Sequence, residues 1–501
     1  MSKSITKGTV FLIVSGLICK LLGAFFRLPL TRILGVRGIG VFQLVMSLYS
    51  FALILCSGGV TVTLSRIIAK ARAKGDQERI DSVFKVALIT SVCLGLVLGL
   101  IFFVFSKQIA MLQGDVLSNK SYMAMIILLP LGGIIATLRG AIQGYENMLP
   151  TAVSQVIEQG IRFVFGLFLA GILVRFGIDF GVFGAFLGIV LGEIFSVIYL
   201  LMSKRKIGFK ARGEKTKGFF SELIPLLLGA VVFPLVNAVD SLVIVGRLNL
   251  AGLTQTQAIT LYGLQTGIVG AVLNLPLILS TSIAVAILPT MSFQKNQTDV
   301  YNGVNKALKI LWIILLPTVL GIMAVCKPLY KVLYAGIDET SLEVAVNLTR
   351  LGGISTIITA LMQFFVAIVQ VRGKLYYLMG IQILGGALKI LLVIILCAFP
   401  QINVYGLILG NIAMSSVVCV GCLFVVRPSV SLHYFDLATP LFSSILMFFI
   451  VNAVVNYLQL SSVITLVVSI VTGCFIYGVL TLPCVFGLLK EIYLSKFRKR
   501  A

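Results

Sequence analysis

The chain has little of what catalytic and metal sites need. It contains one histidine and only 17 acidic residues among 501. A single histidine excludes a histidine-based triad and a histidine cluster for a metal. The sequence also lacks a Walker A loop, a dinucleotide-binding glycine motif, an H-E-x-x-H motif and a nucleophile elbow. We therefore expect a protein that is not an enzyme and that needs no cofactor.

The nine cysteines do not form a recognisable framework. They are scattered through apolar segments, and the one C-x-x-C pair, Cys419 and Cys422, lies inside such a segment. Cysteine there acts as a small packing residue. We expect neither structural disulfides nor a metal site.

Long apolar runs dominate the chain instead. Hydrophobic residues make up 59% of the sequence, charged residues 11%, and the mean hydropathy is +1.09. Because about twenty apolar residues span a bilayer as a helix, we predict an all-α polytopic membrane protein with about fourteen transmembrane helices. The segments are 9–30, 40–64, 84–106, 122–144, 150–174, 181–203, 220–245, 260–290, 305–326, 345–371, 375–398, 403–426, 436–458 and 462–489.

The net charge of +23 reflects topology. Lysine and arginine concentrate in alternate loops between the predicted spans and in the C-terminal tail. They are densest at residues 66–85, 204–217 and 490–500. The positive-inside rule then predicts that both termini are cytoplasmic. No soluble basic domain exists to bind nucleic acid, so we expect the basic segments to face anionic membrane lipids.

A polar linker at residues 204–218 divides the chain. We predict a six-helix bundle at 1–203, this basic cytoplasmic linker, a second six-helix bundle at 219–427, and two additional helices with a basic tail at 428–501.

The two halves resemble each other in order. Residues 182–188 match residues 404–410, and a glutamine precedes a cation by seven residues at Arg162 and again at Lys389. Six spans per half give a parallel repeat, a pattern of transporters whose substrate site lies between the repeats near the midplane.

Cations outnumber acids within the predicted spans. A charged side chain at membrane depth costs about 3 kcal/mol, so such charges face a partner or a hydrated cavity. Lys20 and Arg27 are seven residues apart, which places them on nearly the same helix face. We predict that they bind an anion; the alternative is pairing with acids of other spans. The intramembrane cations are Lys20, Arg27, Arg162, Arg350 and Lys389, and the acids are Glu158, Glu193 and Asp240.

Arg162 and Lys389 are further candidates for substrate binding. Arg162 follows Glu158 by four residues, the spacing of a helical ion pair, so it either pairs there or serves the substrate. Lys389 holds the repeat-related position and has no acid nearby in the sequence.

Asn237 and Asp240 share a face of the seventh span. Their oxygens are candidates for coupling transport to Na⁺ or H⁺, with Glu158 as a third coupling candidate. The alternative is that Asp240 pairs with Lys20 or Arg27.

Several motifs carry a resemblance to a known family. They are KGTVFLIVSGLICKLLGAFFRLPLTRILG at 7–35, GIGVFQLVMSLYSFAL at 38–53, SRIIAKARAKGD at 65–76 and RGAIQGYENMLPTAVSQVIEQGIRF at 139–163. The chain resembles the polysaccharide-transport branch of the multidrug/oligosaccharidyl-lipid/polysaccharide exporter superfamily, and within it the sporulation and lipid II flippase members.

The resemblance implies two six-helix bundles facing each other in a V, with two extra C-terminal helices. It implies cations of the first span lining a central cavity, where Lys20 and Arg27 hold similar positions. The eighth span has no cation here, unlike those members. Some members bind Na⁺ through an acid of the seventh span, which Asp240 matches, but the eleventh span has Lys389 where another acid would help.

We therefore predict a flippase for an undecaprenyl-diphosphate-linked glycan, a lipid II-type peptidoglycan precursor, in the bacterial cytoplasmic membrane. It would act as a monomer, by alternating access, with cell-wall synthesis enzymes as further partners. Three alternatives are an exporter of another lipid-linked oligosaccharide, a cation-coupled drug exporter, and a non-transporting cell-wall scaffold.

Overall fold

The computed structural model describes residues 3–203, 218–293, 297–334, 336–426, 434–458 and 460–498. Within these ranges the chain is helical and contains no strand. Residues 204–217 of the predicted linker lie outside the described residues, as does the single histidine, His433.

The first compact unit comprises Met1–Ile268 and Gln382–Leu407. Its helices are α1 (Lys3–Ser57), α2 (Val60–Ala73), α3 (Gln77–Val104), α4 (Ser106–Leu112), α5 (Asn119–Met123), α6 (Met125–Gly144), α7 (Leu149–Leu173), α8 (Ile178–Ser203), α9 (Phe219–Leu250) and α10 (Gln255–Gly263).

The second compact unit comprises Val269–Ile381 and Ile408–Ala501. Its helices are α11 (Gly270–Phe293), α12 (Gln297–Leu333), α13 (Glu339–Val371), α15 (Tyr405–Val426), α16 (Tyr434–Tyr457) and α17 (Ser462–Arg498). Helix α14 (Leu375–Leu396) begins in this unit, and its larger part, from Gln382, belongs to the first. The division into 1–203, 204–218, 219–427 and 428–501 stays a prediction.

Thirteen helical stretches of the described chain are long and apolar enough to cross a membrane. The first, Val14–Ala73, has 60 residues. At about 1.5 Å per residue it is roughly 90 Å long, enough for two crossings, and it contains most of the first two predicted segments. Each of the other stretches overlaps one further predicted segment. The prediction of an all-α polytopic membrane protein is confirmed, whereas the number fourteen stays a prediction.

Two glycine positions divide the long first stretch. Gly35 has φ +71° and ψ 174°, outside the helical region, and Gly59 has φ +75° just before α2. Glycine adopts a positive φ without the steric cost of a Cβ atom. The first stretch is therefore kinked at Gly35 and broken at Gly58-Gly59.

The part of α1 beyond Gly35 packs very closely against α10. A Cβ atom on Gly40 would lie 2.3 Å from the Ile259 carbonyl oxygen, and one on Gly263 would lie 2.5 Å from the Val36 carbonyl oxygen. Small residues thus let the two backbones touch, as in tightly packed membrane helices. A π-helical turn, Leu264–Val269, follows at once.

Each unit has its own apolar packing. In the first, residues of α2, α3 and α6 form a buried cluster that includes Leu64, Phe84 and Leu138. In the second, Ala324 and Val325 of α12 pack against Met447 and Val451 of α16, with residues of α17 beside them.

Candidate functional site

Most charged side chains that the sequence places within spans lie on helices of the first unit. Arg350, on α13, belongs to the second. The others are Lys20 and Arg27 on α1, Glu158 and Arg162 on α7, Glu193 on α8, Asp240 on α9, and Lys389 on α14. The neutral Asn237 also lies on α9.

Lys389 and Asp240 form a buried ion pair. The Lys389 Nζ lies 2.7 Å from the Asp240 Oδ2, and both residues are at most 5% exposed. The same ammonium donates a hydrogen bond of 3.1 Å to the Asn237 Oδ1. The structure thus joins a residue predicted to bind substrate with two predicted to bind a coupling ion. It also gives Asp240 a partner other than Lys20 or Arg27, the alternative that the sequence left open.

The ammonium of Lys389 fills the position between the two α9 oxygens. A carboxylate and an amide oxygen, one helical turn apart, would otherwise offer two ligands to a free cation. The second carboxylate oxygen, Asp240 Oδ1, is buried and has no hydrogen-bond partner among the described residues. We call this group of Asn237, Asp240 and Lys389 the lysine–aspartate site.

Glu158 pairs with an arginine that the sequence analysis did not count. The Arg139 Nη2, on α6, donates to the Glu158 Oε2 at 2.8 Å, and Arg139 also donates to Ser154 and Ser196. The expected helical pair of Glu158 with Arg162 is therefore replaced by a pair between helices. Arg139 lies within a predicted span, and its charge was the signal that could have identified it.

Arg162 makes no hydrogen bond to any residue that the structure describes. Its guanidinium carbon stands 5.2 Å from the ring centroid of Phe26, and its Nε is buried without a partner in the described chain. Cation–π contact over an aromatic face stabilises an arginine without neutralising it. Arg162 therefore keeps its charge available for another anion.

Glu193 is the most deeply buried acid of α8. It is 4% exposed, and its Oε1 accepts a hydrogen bond of 2.7 Å from the Tyr49 hydroxyl of α1. Its Oε2 is buried and has no hydrogen-bond partner among the described residues. Glu193 was one of the acids predicted as an alternative partner of Lys20, whereas nothing in the sequence points to Tyr49.

Helices α1 and α7 run side by side in the same direction. The Ser15 hydroxyl donates to the Gln155 Oε1 at 3.3 Å, and further along both helices Phe26 packs against Phe163 and Arg162. Lys20 lies between these two levels on α1. The packing of α1 against α7 therefore places Arg162 on the helix next to the one that carries Lys20 and Arg27.

Lys20 and Arg27 have different surroundings. The side chain of Lys20 is exposed on the protein, whereas Arg27 is half-buried. The Arg27 Nη1 lies 3.5 Å from the Thr266 carbonyl oxygen, in the π-helical turn, and the Gln43 amide reaches the same oxygen at 3.4 Å. A π turn leaves carbonyl groups poorly matched along the helix axis, and such turns are frequent at functional sites.

Matching glycine contacts support the internal repeat. A Cβ atom on Gly184 of α8 would lie 2.7 Å from the Leu169 carbonyl oxygen on α7. The repeat-related Gly406 of α15 lies against Leu396, the last residue of α14, and against Cys397, which follows it. The two repeat-related cations nevertheless differ, because an acid neutralises the one on α14 and none bonds to the one on α7.

The arrangement defines a class of protein: a multi-pass helical membrane protein with charged groups buried among its spans. The family of polysaccharide biosynthesis proteins matches residues 5–294, more than half of the chain. The chain belongs to this family.

Two relatives from Bacillus subtilis (strain 168) agree with the resemblance seen in the sequence. Stage V sporulation protein B is 28% identical over 298 residues, which cover 57% of this chain and 58% of that relative. The lipid II flippase MurJ is 25% identical over 450 residues, covering 82% of this chain and 81% of the relative.

Solved structures share the fold. A lipid II flippase MurJ in an inward closed conformation has a TM-score of 0.72 at 15% identity, covering 97% of this chain and 99% of that one. An inward-facing multidrug resistance MATE family transporter of the MOP superfamily has a TM-score of 0.66 at 16% identity, covering 82% and 94%. The recognition of this superfamily from sequence motifs is confirmed.

Proposed function

We propose that the chain is a flippase that carries an undecaprenyl-diphosphate-linked saccharide across the bacterial cytoplasmic membrane. The relative named lipid II flippase, matched over most of both chains, supports a peptidoglycan precursor as the substrate. The positive-inside distribution of lysine and arginine supports cytoplasmic termini.

The observation that carries the proposal is Arg162 of α7, which makes no hydrogen bond to the described residues and lies beside the helix that carries Lys20 and Arg27. Helix α1 contains no aspartate or glutamate, although Lys20 and Arg27 lie in its membrane stretch. The one acid of α7, Glu158, is already held by Arg139 at 2.8 Å. Two neighbouring helices thus place Lys20 and Arg27 near an arginine that has no hydrogen bond to the described residues, which suits a diphosphate.

The three cations would have distinct roles at the diphosphate. A guanidinium binds two phosphate oxygens in a planar fork, whereas an ammonium acts as a point charge. Arg162, which has no hydrogen bond to the described residues, would supply the fork, and Lys20 and Arg27 would hold the second phosphate. Lys389 is neutralised by Asp240, so we now assign it to the lysine–aspartate site and leave it out of the diphosphate site.

The test is transport of fluorescent lipid II in proteoliposomes. The Lys20→Ala, Arg27→Ala variant should lose at least about tenfold in initial rate, since each charge-assisted hydrogen bond contributes about 1.5–3 kcal/mol. Lys70→Ala is the matched control. Lys70 is an exposed lysine whose ion pair with Glu222 lies at 3.5 Å, and its loss should leave the rate unchanged.

An unchanged rate in the double variant, at equal protein abundance, would refute the proposed anion site. Drug export predicts a different result, because cationic drugs would be repelled by these residues. A deletion strain that becomes sensitive to cationic drugs, while lipid II transport by the purified protein is absent, would favour the drug exporter.

A further inference from the structure

Two cations and two acids lie among α6, α7 and α8, and only one cation and one acid form an ion pair. Arg139 and Glu158 satisfy each other at 2.8 Å. Arg162 and Glu193 remain, and no hydrogen bond or ion pair joins them in the described structure. One cation and one carboxyl group therefore lie in the same helix layer without direct contact.

The surroundings of Glu193 disfavour its charged form. One oxygen has a single donor, the Tyr49 hydroxyl, and the other is buried without a partner among the described residues. Phe186 packs edge-on against Tyr49 and also contacts Phe42, so the neighbours on this side are apolar rings. A buried carboxylate needs a paired charge and donors on both oxygens, whereas a neutral carboxyl group is much less costly to bury.

The elements packed against α8 carry the following charged and titratable groups. Helix α1 presents Tyr49, α6 presents Arg139, and α7 presents Glu158 and Arg162. The remaining charged neighbours lie near Asp179, about 21 Å from Glu193 along the axis of α8; they are Asp115, Lys120 and Arg175. No cation that the structure describes bonds to the Glu193 carboxyl group.

Arg162 is within reach of Glu193 through a change of rotamer. A Cβ atom on Gly192, the residue before Glu193, would lie 2.6 Å from the Glu158 carbonyl oxygen and 3.5 Å from the Arg162 backbone nitrogen. The glycine thus holds the backbone beside Glu193 directly against the turn that carries Arg162. Arginine has a long side chain with several rotatable bonds, so its guanidinium can exchange Phe26 for a carboxylate.

We propose that Glu193 is a proton-binding site, and that loss of its proton recruits Arg162 away from an anionic ligand. The proton is exchanged between water and the Glu193 carboxyl group, and no other bond changes. With the proton bound, Arg162 is available to a phosphate. With the proton lost, Glu193 becomes the anion that Arg162 neutralises. The second half of the proposal rests on the proposed function, whereas the first half does not.

The first test measures the proton directly. Infrared difference spectra of the full-length protein in nanodiscs, wild type minus Glu193→Gln, should show the carbonyl band of a protonated carboxyl group at neutral pH. The band should move to higher frequency in Tyr49→Phe, which removes the hydrogen bond to it. Glu222→Gln, which changes an exposed carboxylate, is the matched control and should show no such band. Absence of the band in the wild type would overturn the proton site.

The second test measures coupling to an anion, with undecaprenyl diphosphate as the probe. Its affinity for the wild type in nanodiscs should fall by at least about tenfold as the pH rises through the titration of Glu193, because Arg162 is withdrawn. Glu193→Gln should keep the high affinity at every pH, and Arg162→Gln should bind weakly at every pH. A pH dependence that persists in Glu193→Gln would refute the coupling.

The two tests separate the two proposals. A protonated Glu193 in a protein that never binds the probe would support the proton site and count against the flippase function. Probe binding without a protonated Glu193 would support the flippase function and overturn the present inference.

Discussion

At the scale of single residues, the ammonium of Lys389 takes the place beside Asp240 that a free cation would take. It contacts the carboxylate at 2.7 Å and the amide oxygen of Asn237 at 3.1 Å. Removing one partner of a buried pair leaves an uncompensated charge, which costs about 3–5 kcal/mol. Asp240 would then need a new counterion.

We therefore expect Lys389→Ala to create a sodium response. The variant should be destabilised by about 3–5 kcal/mol, and Na⁺ should restore part of the loss by binding the freed oxygens. The melting temperature of the wild type should be the same in Na⁺ and in choline. Thermal unfolding of the purified protein in the two salts measures both effects.

The double variant Lys389→Ala, Asp240→Asn is the control. With no buried charge left, it should recover much of the lost stability and should not respond to Na⁺. Equal stabilisation of the wild type and of Lys389→Ala by Na⁺ would contradict the assignment.

The sequence did not predict which charged side chains of the site pair with each other. Glu158 had Arg162 four residues away, a favourable local spacing, yet it pairs with Arg139 on another helix. Local spacing contributes only about 0.2–0.5 kcal/mol. A partner that the packing of α6 against α7 brings to 2.8 Å in a buried setting outweighs that preference. Contacts of this kind depend on tertiary packing, and one sequence does not define it.

At the scale of elements, glycine positions set the distance between α7 and α8. A Cβ atom on Gly188 would lie 2.2 Å from the Gly166 Cα, and those on Gly184 and Gly192 would meet backbone atoms of α7 at 2.7 Å and 2.6 Å. The three glycines are four residues apart, so they form one stripe along α8. This stripe allows the close contact that brings Glu193 beside Arg162.

We expect Gly188→Ala to be destabilising by about 1–3 kcal/mol, the usual cost of overpacking a tight interface. The new methyl group would meet the backbone of α7, which cannot move aside. The matched control is Gly171→Ala on α7, where nothing lies within 4 Å of the added atom. Thermal unfolding in detergent should show a lower melting temperature for the first variant only; equal melting temperatures would argue against the stripe.

The positions of the helices were largely predictable, and the reason is physical. Hydropathy reports which residues need lipid or protein around them, so the spans follow from composition. The break at Gly59 uses a glycine, the residue that adopts a positive φ most readily. The kink of α1 at Gly35 was not predictable in this way. A single glycine permits either a loop or a kink, and the packing of α1 against α10 decides between them.

At the scale of the whole molecule, we predict the direction of the chain through the membrane from its charge. Helix α3, at Gln77–Val104, is about 42 Å long and separates two connections. Lys74 lies in the connection rich in lysine and arginine, and Val116 lies in the other. The positive-inside rule therefore assigns Lys74 to the cytoplasm and Val116 to the outside.

Cysteine labelling in whole cells tests this orientation. In a cysteine-free background, Val116→Cys should react with a membrane-impermeant maleimide, since its side chain is 53% exposed. Lys74→Cys should react only after the membrane is permeabilised. The reverse pattern would show that both termini face outward.

The lysine at the centre of the α9–α14 contact also bears on the source of energy. A soluble ion does work for a transporter because it binds on the side where it is concentrated and leaves where it is dilute. A covalently attached ammonium has no concentration and never leaves, so it can balance the charge of Asp240 in every turn of the cycle without contributing any driving force. For the proposed flippase, we expect the work to come from an exchangeable proton, from the electrical potential across the membrane, or from consumption of the delivered lipid on the far side.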